Sequence, residues 1–482
     1  MHDTTSSGRR SFIPPYILER LASDADPTIA ARAREAIAHD EQVRRHRREL
    51  PAPTSETPRP AETIALAPRR PHRVSPRRTA GVGEAPAPHR TISDAHGQRR
   101  TPGHEVRAEG EPPTGDAAAD EAYDGLGATW RLWFEVFGRD SLDGKGLPLL
   151  ATVHYGTGYD NAFWDGSQMV FGDGDVVVFQ RFTRSLDVIG HELAHGVTAS
   201  TAGLLYQGQS GALNESMSDV FGVLVRQYHL GQTAAEADWL IGADLLGPTI
   251  HGRGLRDMHH PGTAYDDPRL GTDPQPDHMD HYVETTDDNG GVHLNSGIPN
   301  RAFVLAALAI GGPAWEDAGH IWEAALVGDG IAADCDFATF ARLTVTTAAR
   351  LHGEEASHVS AVRSAWEQVG VLPPESGSPK QGGAPADVRA SGTEVLLRRT
   401  GGFAGLVKER RVVLDDLPDP EARHWRHLLA APTLERIAQD QTTHPDAYCY
   451  ELHCDEPPVH VSVVEPHLPE AIHSLFERTL ED

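Results

Sequence analysis

Leu186-Asp187-Val188-Ile189-Gly190-His191-Glu192-Leu193-Ala194-His195-Gly196-Val197-Thr198-Ala199 is the stretch on which the reading of this chain turns. Residues four apart on a helix lie on one face, so His191 and His195 aim two imidazoles at a single ion while Glu192 flanks it. That arrangement predicts a zinc site with a carboxylate base beside it. The chain holds 27 histidines in 482 residues. At that composition His-Glu-x-x-His arises by chance in roughly one chain in ten, so the following residues have to carry the assignment.

A hydrolytic zinc site takes three protein ligands and leaves a fourth position open for water. Gly211 to Asp219, Gly-Ala-Leu-Asn-Glu-Ser-Met-Ser-Asp, reads as the start of the next helix and offers Glu215 as the third ligand. Asp219, one turn on and on the same face, is placed to accept the spare N–H of a ligating imidazole. A lone glutamate is ordinarily a solvated helix carboxylate. Here two successive helices supply the ligands and their support together, with one zinc per chain.

Length and charge set the outer bounds. A chain this long exceeds one ordinary core and points to two or three domains with linkers. With 43 basic against 70 acidic residues, the net charge of −27 argues against nucleic-acid binding and for a self-repelling surface, and a monomer is expected. Cys335, Cys449 and Cys454 cannot form a disulfide framework; only the last two are near enough in sequence to invite pairing, which leaves the redox compartment open. Met1 to Arg10 contains no apolar core of signal-peptide length, and the first hydrophobic run is broken by Pro14 and Pro15. A cytoplasmic location is expected on that ground, with export by a route other than Sec as the alternative. The longest apolar run, Ala302 to Ile310, is far short of the ~20 residues of a spanning helix, so no membrane segment is expected.

Residues 1–50 read as a small helical unit with a helix starting at Asp26-Pro27, and 51–88 as a Pro- and Arg-rich linker too poor in apolar residues to fold. Residues 89–372 are globular in composition. Strand-like runs at Pro148 to His154 and Met169 to Arg181 come first, then helical patterns at 185–200, 212–228, 233–246, 296–310, 313–326, 336–350 and 355–369. That order predicts an α+β domain of two lobes with the site in the cleft between them. A linker at 373–388 leads to a small α+β unit over 389–482, patterned hairpin, helix, two strands, helix, with the hairpin around Gly401-Gly402 and the first helix from about Pro420.

The run from Asp187 through Asp219 resembles the thermolysin family of zinc endopeptidases, and four further blocks agree in order: Asn161-Ala162-Phe163-Trp164, Gly254-Leu255-Arg256-Asp257-Met258, Asp288-Asn289-Gly290-Gly291-Val292-His293 and Asn295-Ser296-Gly297. The resemblance implies His191, His195 and Glu215 as zinc ligands and Glu192 as the base that takes a proton from the attacking water and passes it to the leaving amine. It implies that His293, oriented by Asp288, and Tyr206 stabilise the oxyanion. Asn161 and the backbone at Ala162 would pin an extended substrate as an added strand, and Arg256 would contact a substrate carbonyl. Phe179, Phe182, Val188 and Leu255 match the lining of the main specificity pocket, which implies cleavage before a bulky apolar residue. Calcium-dependent relatives carry a double calcium site on carboxylates, of which Asp187 and Asp238 are present here. Arg226, Leu240 and Ala243 replace the others and cannot ligate a hard cation, so that site is expected to be absent; a single calcium elsewhere is left open.

The two ends also carry resemblances. Pro14-Pro15-Tyr16-Ile17-Leu18 resembles the short propeptide of the protealysin subgroup, which implies a zymogen whose first residues fill the cleft until a cut within 44–90. The C-terminal unit, with Arg399-Thr400-Gly401-Gly402-Phe403-Ala404-Gly405-Leu406, resembles emfourin, a small inhibitor of protealysin-like proteases. Expected partners are therefore peptide or protein substrates, the chain's own propeptide and its own C-terminal domain. The rival reading is an inactive peptide-binding protein that uses its end domains as interaction modules; intact Glu192, His293 and ligand candidates speak against it.

Overall fold

The computed structural model describes residues 12–48, 86–373 apart from 329, and, further on, 394–401, 408–414, 425, 448–454, 459–464, 468 and 470–481. The chain divides into two compact units, Met1–Ser376 and Gly377–Asp482. The linkers expected over 51–88 and 373–388 lie almost wholly outside the described residues, as do hairpin residues 402–407 and, apart from Trp425, the helix expected from about Pro420.

Two helices, α1 (Pro15–Leu21) and α2 (Pro27–Arg48), open the first unit. Phe12, Ile13, Ile17, Leu18, Leu21, Ile29, Ala33 and Ala36 join the main apolar core of that unit. A five-stranded sheet follows, built from β1 (Thr91–Asp94), β2 (His104–Ala108), β3 (Leu150–Val153), β4 (Ala162–Trp164) and β5 (Met169–Phe171) in the spatial order β2-β1-β3-β5-β4. β4 is therefore an edge, with one row of backbone groups left to pair with another strand. Helix α3 (Ala117–Arg131) packs against this sheet and was not anticipated among the strand-like runs. Its start is set by Asp116, whose carboxylate accepts the Ala119 N–H at 3.0 Å as an N-cap.

The site-bearing helices are α4 (Leu186–Ser200) and α5 (Gly208–Leu230). They cross at a pair of glycines: a Cβ on Gly222 would meet the Asp187 carbonyl oxygen at 2.5 Å, and one on Gly190 would meet Gly222 Cα at 3.1 Å. Only glycine permits that approach, which brings the two histidines of α4 against Glu215 of α5. The helical lobe continues with α6 (Asp288–Asn295), α7 (Gly297–Ile310), α8 (Asp317–Val327), α9 (Phe337–His352) and α10 (Ser357–Gln368). Trp322 and Trp366 stack at 6.0 Å in its core, and Trp366 Nε1 donates to Thr344 Oγ1 at 2.8 Å. No described helix is long and apolar enough to cross a membrane.

Two stretches differ from their sequence patterns. Residues 233–246 form no continuous helix: Trp239 (φ 57°) and Gly242 (φ 67°) are left-handed, and β6 (Leu240–Ile241) pairs with β7 (Arg256–Asp257). That short ladder fixes the backbone of Arg256 opposite Ile241. In the run 169–181 only β5 is strand. Asp175 then folds the chain back by accepting the N–H groups of Val177, Val178 and Phe179 at 2.9, 2.6 and 3.1 Å, a local competitor to a ladder.

The second unit is an antiparallel sheet of β8 (Glu394–Gly401), β9 (Lys408–Val413), β10 (Tyr448–Cys454) and β11 (Val459–Val464), ordered β9-β8-β10-β11, with α11 (Glu470–Glu481). Alternate residues Val395 and Leu397, Tyr450, Leu452 and Cys454, and Val461 and Val463 face its core with Leu475, Phe476 and Leu480 of α11. Cys449 and Cys454 are both free. Five residues apart on one strand, they point to opposite faces and cannot meet.

Candidate active site

Both histidines of α4 are fully buried, as is Glu215. Glu215 Oε2 lies 3.5 Å from His191 Nε2 and Oε1 lies 3.5 Å from His195 Nε2. One donor atom from each residue falls within 4.8 Å of the others, so the three form a candidate metal site. His191 Nε2 is buried with no hydrogen-bond partner, which is costly for a polar atom unless a cation meets it. Two imidazoles and one carboxylate are a donor set that suits zinc.

The far side of each imidazole is held by a buried partner. His191 Nδ1 donates to Asp219 Oδ1 at 2.8 Å. Asp219 also takes Arg256 Nη2 at 2.8 Å and Nε at 2.9 Å, and Asn300 Nδ2 at 2.8 Å. Burial alone would raise the Asp219 carboxyl, but the Arg256 guanidinium and His191 hold it far below the usual carboxylate range. Burial likewise works against the charge on Arg256, and Asp219 overrides it. His195 Nδ1 lies 2.9 Å from Asn214 Oδ1 and 2.8 Å from Ser218 Oγ. Asn214, Ser218 and Asn300 were not singled out from the sequence, although Asn214 and Ser218 flank Glu215 within the quoted block; Asn300 lies beyond every quoted block.

Glu192 Oε2 accepts the Trp164 N–H at 2.9 Å, which ties the carboxylate, next in sequence to His191, to the edge strand. His293 arrives through an unusual turn: Asp288, Asn289, Gly290 and Gly291 are all left-handed, with φ of 50°, 52°, 82° and 73°. Asp288 then accepts both the His293 backbone N–H at 2.8 Å and Nδ1–H at 2.6 Å. Burial opposes protonation of His293, but Asp288 and Glu215 outweigh it and raise its pKa to about 9. The Tyr206 hydroxyl hydrogen-bonds Glu215 Oε1 and lies 3.3 Å from His293 Nε2. Phe179, Phe182, Val188 and Leu255 are all buried in the main core.

The N-terminal segment reaches the same place. Phe12 N donates to Ala162 O at 3.2 Å, on the edge strand β4, and Ile13 N donates to Asn161 Oδ1 at 3.0 Å. The Phe12 ring meets His191 edge-on at 5.2 Å, and the Arg256 guanidinium lies 4.8 Å from its centre. The segment thus occupies the strand edge and covers a zinc-ligand candidate, with an exposed Glu35–Arg99 pair at 3.0 Å and a largely buried Asp24 carboxylate 3.6 Å from Arg269 further out.

Comparison with known proteins accounts for this arrangement. Residues 89–199 match the thermolysin metallopeptidase catalytic domain, 202–371 its alpha-helical domain, and 397–480 emfourin. The chain is 52% identical over 361 residues to an extracellular metalloprotease of Pectobacterium carotovorum, a match spanning 75% of this chain and 96% of that protein. The chain belongs to the thermolysin family. Its fold is similar to the precursor of protealysin, a metalloproteinase from Serratia proteamaculans, with a TM-score of 0.65 and 49% identity over 75% of this chain and 100% of that one. It is also 41% identical over 303 residues to an extracellular minor metalloprotease of Serratia marcescens, covering 63% of this chain and 78% of that protein. This thermolysin-family member is a zinc metalloendopeptidase made as a precursor, with an emfourin domain at its C-terminal end. The inactive peptide-binding reading falls.

The relatives' names also correct the expected cytoplasmic location, because the proteins from Pectobacterium and S. marcescens are named extracellular. Lack of an apolar leader core speaks only to the Sec route, and so it placed the chain wrongly.

Proposed function

We propose that the chain cleaves polypeptides on the N-terminal side of a bulky apolar residue and that its N-terminal segment holds the cleft shut until a cut within 44–90. The observation that carries this reading is that Phe12 and Ile13 bond to Ala162 and Asn161, where an extended substrate would add to β4, beside His191, Glu192 and Glu215. Zinc, held by His191, His195 and Glu215, supplies Lewis-acid polarisation of the scissile carbonyl and acidity to the attacking water. Glu192, fixed by the Trp164 N–H, accepts the proton from that water and returns it to the leaving amine. Tyr206 and His293, the latter oriented by Asp288, donate hydrogen bonds to the developing oxyanion. Arg256 Nη1, buried and without a hydrogen-bond partner among the described residues, is the donor left for a substrate carbonyl. Phe179, Phe182, Val188 and Leu255 line the pocket for the apolar side chain.

Arg226 stands where a calcium carboxylate would: Nη1 and Nη2 pair with Asp238 at 3.1 and 3.0 Å, while Asp187 takes Ser185 Oγ and Gly242 N at 2.6 Å each. This supports the absence of the double calcium site. The protease is exported, and its emfourin domain restrains the protease of its own chain, since a linker of about 15 residues gives an effective concentration near millimolar where it spans the sites. Two assays test these roles. Glu192→Gln in the matured protease is expected to keep its zinc and lose about 10³-fold or more in kcat/KM on a peptide with Leu after the scissile bond; unchanged activity would refute Glu192 as the base. A chain ending at Leu372 is expected to cleave faster than the full chain after maturation, and equal rates would refute restraint in cis.

A further inference from the structure

Outside the catalytic cleft, the helical lobe brings a second set of metal-binding side chains together. Asp317 is the first residue of α8, His352 the last of α9 and His358 the second of α10. One donor atom from each lies within 4.8 Å of the others. The two imidazoles stack at 3.9 Å with 4° between their planes, and His358 Nε2 already meets Asp317 Oδ2 at 3.1 Å. His352 Nε2 is buried with no hydrogen-bond partner. Nothing in the catalytic reading uses any of these residues.

We propose that Asp317, His352 and His358 form a second site for a late first-row divalent cation, zinc among them, which clamps the ends of three helices. Three arguments carry it. The orphaned His352 Nε2 is a desolvated lone-pair or N–H position whose cost an ion would remove. Face-to-face stacking favours neutral imidazoles, because two imidazolium rings would repel, and the neutral ring is the form that ligates. The Asp317–His358 contact shows that the carboxylate and one imidazole already converge, so an ion would take the place of the proton they share. Two nitrogens and one oxygen select against calcium and magnesium, which want oxygen alone, and for zinc, nickel or copper.

Ligation at about 2.1 Å requires the donor atoms to draw closer and the two stacked rings, whose in-plane lone pairs now lie in parallel planes, to tilt toward a common point. Rotation of the exposed Asp317 side chain and of the half-exposed histidines supplies that movement without disturbing the core. The residues come from the ends of three separate helices, so an ion here resists fraying of α9 and α10 against α8.

The test counts metal in the full chain carrying Glu192→Gln, which prevents self-digestion. After loading with zinc and removal of excess, two zinc ions per chain are expected, falling to one in His358→Gln and in His352→Ala, while the catalytic zinc stays bound. Added zinc should raise the melting temperature of the parent chain once the catalytic site is full, and leave that of His358→Gln unchanged. In the otherwise unmodified chain, His358→Gln is expected to leave peptide cleavage unaltered, which shows that the variant folds. One zinc in the parent chain would overturn the proposal. Two in the parent and two in both variants would overturn it equally, by placing the second ion elsewhere.

Discussion

Asp219 holds four hydrogen bonds from His191, Arg256 and Asn300 inside the frame made by α4 and α5, whereas the N-terminal segment meets the same cleft through two backbone N–H groups and a row of buried apolar side chains, with the exposed Glu35–Arg99 pair further out. The frame is desolvated and its charges are mutually paired, so removing any one strands the others. The segment is held mainly by non-directional apolar burial of Phe12, Ile13, Ile17, Leu18 and their neighbours, and at its rim by an exposed pair that water screens. The frame is thus fixed by directional polar pairing and the cover by apolar packing of a separate segment, which on the proposed reading a cut within 44–90 releases.

The largest expected effect breaks the frame at its centre. Chelation should abolish peptide cleavage by the matured protease, and zinc should restore it; chelator-resistant cleavage would mean that the buried donor set is not the working site. Asp219→Ala leaves Arg256 charged and buried with one fewer partner for His191, and should cost about 3–5 kcal/mol, read as a lower midpoint in urea. Phe12→Ala tests the cover instead. Loss of that fully buried ring should weaken the hold of the segment by about 3 kcal/mol, read as roughly 100-fold higher activity of the uncut precursor, with the stability of the matured protease unchanged. Gly222→Ala forces a methyl against the Asp187 carbonyl and should destabilise both precursor and matured forms by about 1–3 kcal/mol, which a thermal melt would show. Glu35→Gln is the smallest change. Glu35 is 60% exposed in its pair with Arg99, so any rise in precursor activity should be under about tenfold and vanish in high salt.

What the sequence made legible follows the physics of each part. His191, His195, Glu215 and Asp219 were readable because helix periodicity places them on facing surfaces, and a single substitution of helix phase would have separated them. Their outer partners were harder to see. Asn214 and Ser218 adjoin a ligand and could have been found by asking what meets His195 Nδ1, but Asn300 comes from α7 and only the tertiary fold brings it to Asp219. The helical pattern of 233–246 failed because left-handed turns at Trp239 and Gly242 and pairing with β7 override local propensity. Helix α3 was hidden among Ala and Gly with few large apolar residues, and its Asp116 cap was the overlooked signal. The role of Phe12 could not be read from spacing at all, since it depends on the edge that β4 leaves open.

On the proposed reading, this chain folds with a competent zinc protease already formed beneath its own N-terminal segment. Cleavage of a quenched peptide with Leu after the scissile bond can be compared between the intact precursor and the same protein after a cut within 44–90 and removal of the released segment. Chelator-sensitive cleavage is expected after removal, near silence before it, and renewed silence when the segment is added back. Equal cleavage before and after removal would contradict it, because Phe12 and Ile13 would then not be covering the working site.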